Sequence, residues 1–171
     1  MKIIDNCLEE EYFDSLVAAF CCADPQRGLP WWYGTYLPHN LNHENSSDPL
    51  QYFFTHLIYN HHVPQNAETY NLTIPLCKAI EDIKSLLRIR ANLFPGTKIL
   101  HEYDMHTDYP FSHTAAILSL NTCDGYTKLV DGTKIDSVAN RMLFFDAGED
   151  HCSTTTSNEK ARFNIIVNYL L

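Results

Sequence analysis

With 171 residues, 45% of them hydrophobic and 19% charged, the chain has the balance of one globular domain and is too short for two full cores. No apolar run approaches the ~18 residues of a membrane span. A formal net charge of −9 is a poor electrostatic match for a nucleic-acid backbone, whose binding rests on Lys and Arg. Residues Met1 to Asn6 carry no apolar leader core, so the reading is a chain that folds in the cytoplasm. Cys7, Cys21, Cys22, Cys77, Cys123 and Cys152 form no C-x-x-C pair or zinc pattern and read as free thiols in a reducing compartment.

Leu8, Tyr12, Phe13, Leu16, Val17 and Phe20 recur at helical spacing behind Glu9, Glu10 and Glu11, which predicts a first helix. Ala23 to Ser47 is loop-rich. Pro25, Gly28, Pro30, Gly34 and Pro38 punctuate an aromatic cluster of Trp31, Trp32, Tyr33 and Tyr36, read as either a lid or peptide groove or a patch packed on the core. Asn45-Ser46-Ser47 and Asn71-Leu72-Thr73 match the glycosylation pattern, which means little without export. Asp48-Pro49 resembles an N-cap with proline at the first helical position, and Leu50, Phe53, Phe54, Leu57 and Ile58 then predict a second helix. A third is expected from about Pro75 to Leu87, with Leu76, Ile80, Ile83 and Leu87 as its stripe.

From Arg88 the period changes. Strands are expected at 89–94, around 99–103, and at 114–120, 126–130, 133–137, 141–145 and 162–170, with Asp131-Gly132 as a hairpin signal. Helices first and short strands after predict an α+β fold. The expected form is a double-stranded β-helix, or jelly roll, with the N-terminal helices packed on one sheet. The whole of 1–171 reads as one domain, with 1–87 as mainly helical support and substrate-side loops and 88–171 as the β-helix core.

The chemistry concentrates in one motif. His106-Thr107-Asp108 is the only H-x-D in the chain. On a strand, two residues spaced this way point to one side. Nine histidines warrant caution, and His39, His43 and His56 have no partner spacing, while His61-His62 reads as a surface pair. Downstream of Asp108 stand only His113, in a turn after Pro110, and His151, which follows the 141–145 strand and the Asp146-Ala147-Gly148 turn. His106, Asp108 and His151 would make the two-His, one-carboxylate set that binds one face of non-haem Fe(II) and leaves the other positions open. Arg162, eleven residues beyond His151, lies inside an apolar run, where a cation needs an anionic partner such as a cosubstrate carboxylate. Arg90 and Asn92 share a strand face and are candidates to line the pocket or bind substrate.

These residues, with Gly125-Tyr126-Thr127-Lys128 and the stretch from Ser137 to Asp146, make the segment from Arg88 to Leu171 resemble the core of the Fe(II)/2-oxoglutarate-dependent oxygenases. The likeness is closest to the prolyl-hydroxylase-like branch, in the style of small bacteriophage and marine microbial members. The resemblance implies a metal triad of His106, Asp108 and His151, with the 2-oxoglutarate C5 carboxylate on Arg162. It also implies a hydroxyl donor to that carboxylate. The matching position is Ser119, with Tyr103 or Thr114 as substitutes. Asn92 joins the cofactor-side residues. The implied cofactors are Fe(II), 2-oxoglutarate and O2, with ascorbate as a supporting reductant. The implied reaction hydroxylates a substrate carbon with release of succinate and CO2. Peptidyl proline is the suggested substrate, and a free amino acid or small metabolite stays open; nucleic acid and membrane are disfavoured. The double glycine of that group is reduced here to Asp124-Gly125, and one glycine is expected to supply the positive φ of a hairpin. Two rival readings keep the fold. One is a cupin-like metal isomerase or lyase without 2-oxoglutarate, the other a catalytically inactive interaction module.

Overall fold

The computed structural model describes residues 1–24, 26–35 and 48–171. Pro25, Tyr36, Pro38, His39, His43 and the Asn45-Ser46-Ser47 tripeptide lie outside the described residues.

Strand β1 (Lys2–Ile4) leads into helix α1 (Glu10–Phe20), which buries Phe13, Leu16 and Phe20, three of the periodic apolar positions. Then come β2 (Trp32–Gly34) and β3 (Phe53–Asn60). Residues 53–60 are therefore a strand and not the predicted second helix. The strand lies inside a sheet with both faces covered, so apolar side chains go to both sides and mimic a helical stripe. A register shift between Leu57 and Tyr59 further breaks the period of two. Asp48 is no N-cap either: its carboxylate accepts from the Leu50 N–H in a local turn. His61 and His62, both with positive φ, turn the chain into β4 (Val63–Pro64).

Helix α2 (Ala67–Ala79) begins well before Pro75, capped by the Asn66 side chain, which accepts from Thr69 N–H. Pro75 lies within it, and Tyr12 of α1 inserts there. Its hydroxyl donates to Leu72 O and accepts from Leu76 N–H, bridging a gap in the helical ladder and tying the two helices together. The helix ends near Ile80, so Leu87 belongs to the next strand.

The remaining elements are β5 (Ser85–Pro95), β6 (Thr114–Ser119), β7 (Tyr126–Leu129), β8 (Lys134–Asp136), β9 (Arg141–Asp146), β10 (His151–Ser153) and β11 (Ala161–Leu170). The strand expected around 99–103 is absent. That segment pairs by a single isolated bridge, Glu102 with Thr154, flanked by scattered hydrogen bonds, and a second bridge follows at His106 with His151. Gly132, at φ 85°, makes the β7–β8 hairpin that Asp131-Gly132 signals.

One sheet runs β1-β9-β6-β11-β5-β3-β2, with β4 on β3, and a smaller one runs β10-β7-β8. The two sheets and the helices form the expected α+β jelly roll. On the outer face of the large sheet, Ile89, Ala91, Ala116, Leu118, Ile165 and Val167 pack with Leu16, Phe20 and Leu76 of the helices. Between the sheets, Ala115, Ile117, Ile135, Leu143, Phe145 and Ile166 form a second core. Among the described residues no helix is long and apolar enough to cross a membrane.

Candidate metal centre

The register of β5 against β11 lays out the inner face of the large sheet in rungs. Arg88 faces Asn168, Arg90 faces Ile166, Asn92 faces Asn164, and Phe94 faces Arg162. The period of two sends all eight side chains to one side, while the residues between them enter the helix-side core.

The first rung holds Asp108. Arg88 Nη2 donates to its Oδ1 at 2.6 Å and Asn168 Nδ2 to its Oδ2 at 2.8 Å. The carboxylate is fully buried, and Asn168 also meets His113 Nε2 at 3.2 Å. Burial pushes the Asp108 carboxyl up, but Arg88, with the flanking imidazoles and Arg90, holds it well below the usual carboxylate range.

His106 and His151 are an antiparallel pair. Each backbone N–H donates to the other's carbonyl at 2.9 Å, so both rings project from one face, their centroids 4.6 Å apart. His106 Nδ1 bonds to Asp104 O at 3.3 Å and His151 Nδ1 to Glu149 O at 2.9 Å. That pattern assigns the proton to Nδ1 in each ring and leaves both Nε2 atoms as acceptors. Burial, reinforced by His151, brings His106 down to about 3, so its imidazole is neutral at physiological pH. Ligand atoms of His106, Asp108 and His151 lie within 4.8 Å of one another. Two imidazoles and one ionised carboxylate, all buried, fit a divalent iron.

A pocket opens beside the triad, walled by Phe53, Arg90, Asn92, Phe94 and Tyr103. Asn92 Nδ2 donates to Asn164 Oδ1 at 2.9 Å, and its own Oδ1 has no partner. The Tyr103 ring lines the cavity while its hydroxyl donates to Tyr52 O at 2.7 Å.

Arg162 is 1% exposed and lies one layer behind this wall, its guanidinium 5.4 Å from the centre of the Phe94 ring. Nη1 donates to Tyr126 O at 2.9 Å and to Thr154 O at 3.4 Å, and Nη2 to Thr127 Oγ1 at 3.0 Å, while Nε is left unpartnered. Burial lowers it to about 10, and the groups that act against this are Cys123, Tyr103 and Cys152, none of them a carboxylate. A buried guanidinium without an acid fits an anionic ligand.

The hydroxyl bonded to Arg162 is that of Thr127. Ser119 is buried on β6 opposite Asn164, and Thr114 is on the other face of β6 from the cavity-lining Ile117. Gly125 is needed for space, not for a positive φ, which it does not have. A Cβ there would sit 2.7 Å from Arg162 Cδ and 2.7 Å from Thr155 O. Gly125→Ala is expected to cost about 1–3 kcal/mol in urea denaturation, because neither the backbone nor a buried arginine yields easily.

Arg88, Asn168, His113 and Thr127 escaped the sequence reading. Arg88-x-Arg90-x-Asn92 and the pair Asn164 and Asn168, polar residues on one face of otherwise apolar strands, were the available signal for two of them, Arg88 and Asn168. The Asp104 and Glu149 carbonyls that set the histidine tautomers leave no sequence signal.

By sequence the chain matches no protein-family model and no curated protein. By structure it superposes on an oxidoreductase of the 2OG-Fe(II) oxygenase family from Burkholderia pseudomallei, with a TM-score of 0.64, 12% identity, and 98% of this chain and 82% of that one covered. The fold is that of the Fe(II)/2-oxoglutarate oxygenases. A prolyl hydroxylase from Trichoplax adhaerens, in complex with a hypoxia inducible factor peptide fragment, matches at TM-score 0.59 and 18% identity, covering 99% of this chain and 82% of that one. SnoN, a non-heme α-ketoglutarate-dependent epimerase of nogalamycin biosynthesis, matches at 0.63 and 12%, covering 98% and 76%. One oxygenase scaffold thus carries hydroxylase and epimerase alike, so the reaction has to be argued from the site.

Proposed function

We propose that this chain is a member of the Fe(II)/2-oxoglutarate oxygenase superfamily that hydroxylates a carbon of its substrate and releases succinate and CO2. One observation carries the reading: the buried convergence of two imidazoles and a carboxylate beside a pocket lined by Arg90, with Arg162 buried behind it and bonded to no acid. Ferrous iron bound there supplies the activation of O2 coupled to decarboxylation of 2-oxoglutarate.

The chain's own residues do the rest. His106, Asp108 and His151 hold the metal and leave its remaining positions to cosubstrate and O2. Arg88 and Asn168 keep Asp108 charged and oriented. Arg162, with the Thr127 hydroxyl beside it, takes the distal carboxylate of 2-oxoglutarate through a planar fork suited to it. Phe53, Phe94, Tyr103, Ile117 and Ile166 make the apolar wall that keeps water from the reacting atoms. The six unpaired cysteines suit a reducing cytoplasm.

A peptidyl proline is the substrate we favour within the hydroxylase reading. Its support is the likeness to a prolyl hydroxylase and the exposed Trp32 and Tyr33 on edge strand β2, where Tyr33 packs with Tyr52 and Phe54. Trp31 instead packs inward against Phe163.

Anaerobic addition of Fe(II) and then 2-oxoglutarate is expected to give the visible charge-transfer band of a chelated complex. Arg162→Ala is expected to weaken 2-oxoglutarate binding about ten- to a hundred-fold, the worth of a charge-assisted contact. Unchanged affinity would remove Arg162 from its role. No band and no succinate would leave the site to a metal isomerase or lyase. Succinate release across proline peptides, nucleic acids and small metabolites then selects the substrate.

A further inference from the structure

Three guanidiniums crowd the inner face of β5 and β11, those of Arg88, Arg90 and Arg162. Among the described residues Asp108 is the only buried acid, and Arg88 occupies it. Arg162 has three hydrogen bonds of its own. Arg90 has none. It lines the cavity, its Nε is sealed and unpartnered, and its guanidinium stands 5.7 Å from the centre of the Phe53 ring. The neighbouring Asn92 Oδ1 is unpartnered as well. Arg90 is only part-buried, but it faces the pocket with no hydrogen bond among the described residues, and the one acid near it, Asp108, is already bonded to Arg88, so its guanidinium is free to take an anionic ligand.

2-Oxoglutarate does not fill that need. It brings two carboxylates, of which one chelates the metal and the other pairs with Arg162. A third anion has to come from elsewhere. We propose that Arg90 is a substrate-binding residue and that the primary substrate presents a carboxylate to it inside the metal cavity. This inference rests on the cosubstrate reading above and names the substrate's chemistry. Arg90 is one rung from Arg88, which grips the metal-ligating Asp108, whereas Arg162 is three rungs away. A carboxylate on Arg90 therefore lies on the metal side of the cavity, and the oxidised carbon stands only a few bonds from it.

The test is thermal stabilisation of the anaerobic Fe(II)-loaded protein, with and without saturating 2-oxoglutarate. The probes are matched acid and amide pairs: propionate against propionamide, L-proline against L-prolinamide, and acetyl-prolyl-glutamate amide against its glutamine analogue. The acids are expected to raise the melting temperature and the amides to leave it unchanged. Arg90→Met is expected to weaken acid binding by at least about ten-fold, and Arg90→Lys to retain part of it. Affinity for 2-oxoglutarate, followed by the charge-transfer band, is expected to stay within about two-fold in both variants, which also shows that they fold.

Stabilisation by the glutamyl peptide alone keeps the carboxylate contact and assigns it to a peptide side chain. Acids that bind no better than amides, acids that bind nowhere, or acids that stabilise Arg90→Met as well as wild type overturn the proposal. So does a loss of 2-oxoglutarate affinity in Arg90→Met equal to that in Arg162→Ala, which would make Arg90 the cosubstrate's residue. If wild type fails to bind 2-oxoglutarate, the oxygenase reading falls, and the propionate pair on the protein without it still decides Arg90.

Discussion

His106→Ala protein is expected to hold no stoichiometric ferrous iron and to show no charge-transfer band with 2-oxoglutarate. The triad supplies only three donors, so removing one leaves an imidazole and a carboxylate to compete with water for the ion. Altering a group merely hydrogen-bonded to a metal ligand costs ~10–100-fold in affinity, so loss of the ligand itself exceeds about 100-fold. The fold should survive. The bonds joining residues 106 and 151 are between backbones, and alanine keeps both of them. Metal content after anaerobic loading and desalting is the measurement, with far-ultraviolet circular dichroism as the control. Retention of one iron per chain would refute the triad.

Arg88→Met is expected to destabilise the protein by about 3–5 kcal/mol, because it leaves the Asp108 carboxylate buried with only Asn168 as a donor. Urea denaturation of the metal-free protein reads this directly. Two further results separate lost charge pairing from lost packing. Added Fe(II) should restore part of the stability, since a bound cation offsets the orphaned carboxylate and binding stabilises the folded state by mass action. Adding Asp108→Leu to Arg88→Met should recover most of the loss while ending metal binding, because an apolar pair replaces a buried ion pair at little cost. If the double variant is no more stable than the single one, packing of the arginine stem dominates.

The centre of this site was legible because its residue types are scarce. A single H-x-D, one histidine in the right later segment and an arginine eleven residues beyond it left few alternatives. Most strands from β5 onward were legible for the same kind of reason, since β-branched and apolar runs end at clear turn signals, but the three-residue β10 was missed and 99–103 is not a strand. Residues 50–58 were misread because a strand covered on both faces carries no alternation, and Leu50, Phe53, Phe54, Leu57 and Ile58 fit a helix equally well. The aromatic and β-branched content of Phe53-Phe54-Thr55-His56-Leu57-Ile58-Tyr59 was the better guide. Pro75 was taken as a helix start because a mid-helix proline is ordinarily forbidden, and the Tyr12 hydroxyl that makes it tolerable comes from another helix. The partners of Asp108 come from residues 88 and 168, a separation that no local pattern reports.

The final strand, β11, lies between β5 and β6 in the middle of the large sheet. As the polypeptide emerges from a ribosome, β5 and β6 must wait side by side with open edges until residues 161–170 arrive to join them. Those residues bring Asn168 to Asp108 and Arg162 to Thr127. Such distant pairing is slow, so the partners that hold Asp108 and Arg162 come together only when the last strand slots between its two neighbours.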